Sequence, residues 1–146
     1  MSSYFDGWIY NNIEFTEDMI PEGAVGFVYE MTAVIDGASR IYIGKKNFYS
    51  DVKTKLGKKV LAQQTDKRLK TYKRVRKTVY QKYYSSNEVL KKAHKDGVKI
   101  RRKILMICYS PTELTYQEAK YLFCNDVLDY DMYLNSNILG KFYKTK

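Results

Sequence analysis

One histidine and two cysteines are the entire supply of nitrogen and sulfur metal ligands in this 146-residue sequence. They are His94, Cys108 and Cys124, and no two of them stand at the close spacing of a zinc site. A zinc centre is therefore not expected, and the two cysteines read as buried, reduced thiols. A Ser-His-Asp triad would have to use His94, and nothing around that residue suits the role. His94 reads instead as a helix residue with no catalytic part. No run approaches the roughly 18 apolar residues of a membrane-spanning helix, so no membrane partner is expected. The opening MSSYFDGWIYNN has neither a basic n-region nor an apolar h-region. No secretory signal is expected there, and the expected compartment is the cytoplasm. Internal repeats and low-complexity tracts are also missing.

Acid is in short supply. Sixteen Asp and Glu face 26 Lys and Arg, a net charge of +10. A surplus of that size attracts polyanions, and nucleic acid is the leading candidate because neutralised phosphates release counterions. The remaining composition, 45% apolar and 29% charged, is that of an ordinary globular protein, and the length suits one domain. Fifteen tyrosines stand out. Their rings can stack on bases and their hydroxyls can bind phosphate, although most are expected to pack with the hydroxyl at the surface.

Along the chain, residues 1–23 read as an N-terminal arm, and 24–146 as a single domain. The run AVGFVYEMT (24–32) and the shorter RIYI (40–43) are rich in β-formers, with Asp36-Gly37 between them as a hairpin turn. Residues 45–82 form a basic insert holding more than half of the cations. Gly57 marks a loop tip in it, and the part from Asp66 onward has a weak helical period. Ser85-Ser86-Asn87 reads as a helix cap, followed by EVLKKAHKDG with Val89, Leu90 and Ala93 on one face and Gly97 as the stop. KIRRKILMICYS ends in an apolar run suited to a buried strand. Beyond Pro111, Thr115 and Glu118 have capping-box spacing for a helix TYQEAKYLFCNDVL. The expected fold is a small α/β layer: a three-stranded antiparallel or mixed sheet flanked by helices, carrying the basic insertion.

GFVYEMT, then thirteen positions from Tyr29 to Tyr42, then YIGKK resembles the opening of the GIY-YIG endonucleases. Phe27-Val28-Tyr29 stands where that family has Gly-Ile-Tyr, and Tyr42-Ile43-Gly44 is intact. The segments YYSSNEVL, YQEAKYLF and NSNILGKF are similar to small phage-encoded members, and the resemblance covers about residues 24–143. It implies a metal-dependent endonuclease acting on DNA. Tyr29 and Tyr42 would be the paired tyrosines, Glu118 the metal ligand and Asn137 the downstream asparagine. The family also carries an arginine after its YIG motif. Lys45, Lys46, Arg68, Arg74 and Arg76 all stand in that region, with Lys46 and Arg76 favoured for the catalytic cation. Lys45, Arg68, Lys73, Arg74 and Lys77 would hold the phosphate backbone, with Ser85 and Ser86 as further nucleic-acid contacts or as helix caps.

The chemistry asks for these residue types. Phosphodiester hydrolysis needs a water nucleophile, a base, and positive charge on the phosphorane-like transition state. A tyrosine works as a base only if a cation lowers its pKa from about 10. One carboxylate suffices for Mg2+ (or Mn2+), which keeps several waters and touches a phosphate oxygen. No small-molecule cofactor is expected. A homodimer would serve to cut both strands. Two other readings stay open: a nucleic-acid-binding protein that kept the scaffold without cleavage, and an assembly protein whose basic block binds an acidic partner.

Overall fold

The computed structural model of the chain describes residues 7–55 and 71–145. Its centre is a mixed five-stranded sheet. The strands are β1 (Trp8–Tyr10), β2 (Ile13–Phe15), β3 (Gly26–Ile35), β4 (Ala38–Asn47) and β7 (Arg101–Cys108). Across the sheet they lie in the order β2-β1-β7-β3-β4. All neighbours run antiparallel except β1 and β7, which are parallel. Five strands replace the expected three because the segment read as an arm supplies two of them. Trp8 and Phe15 are fully packed there, and the Trp8 indole N–H donates to the Tyr80 carbonyl at 2.8 Å. Three-residue strands carry too little alternation to stand out in a sequence.

The strand β3 lies between β7 and β4, covered on both faces, which explains its nearly unbroken apolar run. Phe27, Tyr29 and Met31 enter one core with Trp8, Phe48, Tyr80 and Leu90. Val28 enters the other with Ile43, Leu114, Leu122 and Ile138. The register from β3 to β7 slips between Val28 and Tyr29, where Met106 and then Ile104 are the partners. Leu105 is the extra residue of this bulge, which sits directly beside Tyr29.

The expected turn closes the β3–β4 hairpin: Asp36 and Gly37 both have positive φ, 53° and 78°, as a two-residue primed turn demands. The helix α1 (Glu88–Lys95) starts at Asn87, whose side chain accepts from the N–H groups of Val89 and Leu90. Leu90 and Ala93 are buried, Val89 is not, and Gly97 follows the helix at φ 85°. The helix α2 (Pro111–Cys124) begins four residues before the expected capping box. Ser110 caps it by accepting from the Glu113 N–H at 3.0 Å, and Pro111 fills the first turn. Glu113 reaches back to the Tyr109 N–H at 2.7 Å. Thr115 and Glu118 are thus mid-helix, and the Glu118 carboxylate serves no cap. Cys108 is buried, its thiol pushed up to about 11 by burial, whereas Cys124 is exposed, contrary to expectation.

The basic insert is a ribbon rather than a helix over its described part. The strands β5 (Tyr49–Lys55) and β6 (Thr71–Lys77) pair only with each other, from Tyr49↔Lys77 to Lys55↔Thr71. Phe48, fully buried, anchors its base, and the Thr78 hydroxyl donates to the Asn47 carbonyl at 2.6 Å. Gly57, Asp66 and Arg68 lie outside the described residues. A short hairpin, β8 (Asn137–Ile138) with β9 (Phe142–Tyr143), closes the chain.

Candidate active site

The strand β4 is an edge of the sheet, and the chain's tail covers only half of that edge. Ile41 exchanges backbone hydrogen bonds with Met132 and Leu134. Next along the edge, Asn135 takes over with its side chain: Oδ1 accepts from the Ile43 N–H at 3.1 Å, and Nδ2 donates to the Ile43 carbonyl at 2.8 Å. Beyond Asn135 the edge opens into a cleft of about 550 Å³ between β4, α2, the start of α1 and the β8 segment. Tyr42, Lys45, Ser86, Glu118 and Asn137 all line it.

Tyr29 and Tyr42 come together as expected, and Gly44 explains how. Tyr29 is paired across the strands with Gly44, two residues from Tyr42 on the same face of β4. A β-carbon on Gly44 would lie 2.6 Å from the Tyr29 hydroxyl and 3.0 Å from a ring carbon of Tyr42. The glycine of the YIG triplet is the gap through which the Tyr29 phenol crosses β4. The two rings then lie 6.3 Å apart between centroids. Only Tyr42 reaches the cleft; Tyr29 is 1% exposed.

Each phenol takes a serine partner. Tyr29 hydrogen-bonds with Ser85 and sits 3.3 Å from the Tyr83 hydroxyl; Tyr42 hydrogen-bonds with Ser86. The backbone supports this with a left-handed residue at Ser85, φ 76°, whose hydroxyl also accepts from the Asn87 N–H. Ser85 is buried, so it positions Tyr29 and does not present itself to a polymer. Burial is the main influence on both phenols and pushes both upward in pKa. A tyrosine base would need a cation that lowers these values. In the folded chain desolvation wins, and both tyrosines are neutral at pH 7.

Glu118 faces the cleft from the middle of α2. Burial raises its pKa, and Lys45 opposes the shift. A partly desolvated carboxylate is a poorly compensated negative charge, which a divalent cation would complete. Thr115 and Asn137 also line the cleft, but their oxygens accept from Lys45 and from the Gly140 N–H, which leaves the Glu118 carboxylate as the oxygen donor that suits Mg2+ or Mn2+. The residues present therefore fit a hard ion held by one carboxylate and water. Among the described residues no group of three or more His, Cys, Asp and Glu converges.

The cations are sorted by strand alternation. Lys45 points with Ile43 toward α2, lines the cleft, and donates to the Thr115 hydroxyl at 2.7 Å. Lys46, favoured from sequence, lies on the Tyr29 face, its ammonium 4.5 Å above the Tyr83 ring. Lys77 pairs with Glu17, tying the ribbon to the segment after β2. The backbone of Lys73, Arg74 and Arg76 belongs to β6; Arg68 lies outside the described residues. Asn137 borders the cleft, and its Oδ1 accepts from the Gly140 N–H at 3.0 Å.

Three residues went unnoticed in the sequence. Asn135 is the edge clamp described above. Tyr83 bridges Tyr29 and Lys46. Arg102, 2% exposed, donates to the carbonyls of Gln81 and Tyr83 and lies over the rings of Trp8 and Tyr84, which holds the Tyr83 segment in place. Each depends on a contact between distant segments and has no local signature. His94 stacks on Tyr84, with centroids 3.7 Å apart.

Residues 8–138 match the family described as the GIY-YIG domain of the putative endonuclease segE. No curated protein and no solved structure gives a significant match. The family match begins at the Trp8 strand and takes in both tyrosines, the crossing at Gly44, Glu118 and Asn137. With that span and that hairpin, the chain belongs to the GIY-YIG endonuclease family, and membership indicates nuclease activity on DNA.

Proposed function

We propose that this protein is a metal-dependent endonuclease that hydrolyses phosphodiester bonds in DNA. The observation that carries this reading is that one cleft holds the Glu118 carboxylate, the Tyr42 phenol and the Lys45 ammonium. Glu118 would hold the Mg2+ (or Mn2+), with water completing its shell. When bound, the ion supplies charge for a phosphate oxygen and acidifies water.

The chain's own groups do the rest. Tyr42, neutral and fixed by Ser86, orients the attacking water through its hydroxyl; the proton that this water gives up passes to solvent in the open cleft, and the departing oxygen takes one from solvent. Tyr29 stays out of contact with the substrate and, with Gly44, sets the position of Tyr42. Lys45 lies on the cleft wall, where it stabilises the charge that grows on the non-bridging oxygens. Lys46 remains a second cation beside Tyr83, and Arg76, Arg74, Lys73 and Arg68 belong to the insert, the proposed grip on the phosphate backbone. Such contacts position the duplex and carry little sequence information. No helix among the described residues is long and apolar enough to cross a membrane.

The test is a supercoiled plasmid incubated with Mg2+, with Mn2+ and with EDTA, then resolved on a gel. Nicked or linear product that disappears with EDTA and in Glu118→Gln supports the reading. Linear product without a nicked precursor supports a dimer acting on both strands. Intact plasmid with both metals, alongside salt-dependent binding, would establish the non-cleaving alternative.

A further inference from the structure

Six non-glycine residues among those described have positive φ: Asn11, Asn12, Asp36, Ser85, Asp126 and Leu139. Five are small polar residues, which tolerate this region through local hydrogen bonds. Leu139 is the exception. It occupies the turn of the β8–β9 hairpin, at φ 58° with Gly140 at 65°, and the Lys141 N–H donates to the Ile138 carbonyl across it. The comparable turn at 36–37 uses Asp-Gly, the preferred chemistry for this geometry. At 139 the chain places an apolar side chain where the backbone disfavours one.

That side chain gains only partial burial in return. Leu139 is 52% exposed, and it lines the same cleft as Tyr42, Glu118 and Asn137. Its turn is held from both sides: Asn137 Oδ1 accepts from the Gly140 N–H, and the Tyr143 hydroxyl donates to the Gly140 carbonyl, each at 3.0 Å. An exposed leucine, strained in its backbone and fixed in place at the mouth of a nuclease cleft, is a feature that stability does not explain.

We propose that Leu139 is an apolar wedge that enters the base stack of a DNA duplex beside the bond to be cut. The inference rests on the DNA-nuclease reading above. Leucine is among the side chains that part adjacent base pairs from the groove side and kink the duplex. The wedge turns an otherwise shape-blind backbone grip into a choice of site. Steps that unstack easily, such as pyrimidine–purine steps and mismatches, accept it at least cost. Asn137 then has a positioning role: it anchors the turn that carries the wedge. The surroundings favour DNA over a second copy of the chain. Lys141 is exposed within the same turn, Lys45 lines the same cleft, and two copies of net charge +10 repel.

The experiment uses Glu118→Gln protein in EDTA, so that bound DNA stays uncut, with and without Leu139→Gly. Duplexes carrying 2-aminopurine at stepped positions report unstacking by a rise in fluorescence. The leucine protein is expected to give a rise confined to one or two positions, and Leu139→Gly to lose it while binding several-fold more weakly. Glycine suits positive φ, so the thermal midpoint of the glycine variant stays level or rises, which excludes misfolding as the cause. Leu139→Asn, also compatible with the turn, is expected to behave like the glycine variant. In the cleaving protein, Leu139→Gly should lose discrimination between a matched duplex and one with a mismatch near the cut. Binding without a fluorescence rise overturns the wedge and leaves the nuclease reading standing; failure to bind DNA at all overturns both. A rise that persists in Leu139→Gly, or a concentration-dependent dimer that this substitution abolishes, also overturns it.

Discussion

The Tyr29 hydroxyl lies 2.6 Å from the point where a β-carbon on Gly44 would stand. Tyr29 is fully packed, so its ring cannot swing aside to make room. Gly44→Ala therefore forces a shift in the hairpin core. Overpacking of this kind costs about 1–3 kcal/mol. It should also move Tyr42, whose ring carbon is 3.0 Å from the same point. Denaturant melts are expected to show the loss, and cleavage should fall with it. In a Tyr29→Phe background most of the penalty should remain, because the ring carbon Cζ of residue 29 stands 2.7 Å from the same point; in a Tyr29→Leu background, which removes the ring, it should shrink, and an unchanged penalty there would place the clash elsewhere.

Glu118→Gln is expected to lower metal-dependent cleavage by about 10²–10³-fold or more while DNA binding persists, since one electrostatic group of the site is removed. Stability should move the other way. The folded-state pKa of Glu118 is raised, first by burial, above its unfolded value. Its protonated form stabilises the fold at low pH, and this contribution is lost as pH rises through the raised pKa. At neutral pH without metal the carboxylate is a liability, so Glu118→Gln should melt higher than wild type. Mg2+ should raise the wild-type midpoint and leave that of the glutamine variant unchanged. A wild-type midpoint indifferent to Mg2+ and Mn2+ would remove Glu118 as a ligand.

The tyrosine pair divides into a residue that faces the substrate and one that supports it. Tyr42→Phe removes the hydroxyl that orients the water and should reduce kcat by about 10²-fold, the cost of a misplaced reactant, with the thermal midpoint almost unmoved. Tyr29→Phe removes a buried hydroxyl and its hydrogen bonds with Ser85 and Tyr83, at a cost of about 0.5–1.5 kcal/mol. Its effect on cleavage should be smaller than that of Tyr42→Phe. Single-turnover rates for both, measured beside their melts, check the assignment; a larger catalytic loss in Tyr29→Phe would reverse it.

The ribbon is open to a salt titration. Every cation removed from the phosphate backbone lowers the slope of log K against log salt by about 0.9 on B-DNA. Serine at Lys73, Arg74 and Arg76 should flatten the slope and weaken binding to two unrelated duplexes alike. Lys77 is best left in place, because it pairs with Glu17. Unchanged slopes would make the insert a solvated surface. Weakening on one duplex only would mean that the ribbon reads bases.

Much of the hairpin was readable from local chemistry alone. Asp36-Gly37 demands a primed turn, and that turn fixes the register that sets Tyr29 opposite Gly44. The order of helix, strand, helix, and the presence of a glutamate on the last, also follow from short-range signals. Where sequence reasoning missed, long-range pairing prevailed. The 71–77 segment has a poor helical period because it is a strand of a ribbon, and its partner lies in β5. The 8–15 segment looked like an arm because its burial depends on Tyr80 and β7, far along the chain.

The charge that seeks a polyanion, the turn that pairs two tyrosine-bearing strands and the residue types that hydrolysis needs were all legible locally, because each depends on composition or on neighbours within a few positions. Which of those residues meet was set by long-range packing. It put Lys45 in the cleft because its ammonium meets Thr115 on α2, and it kept Lys46 out because that ammonium lies over the Tyr83 ring. It freed Glu118 from a capping role because the helix starts at Ser110–Pro111. It raised the pKa of both phenols because packing strips them of water, and it set Leu139 at the mouth of the cleft because Asn135 clamps the tail to Ile43, 92 positions away in the chain.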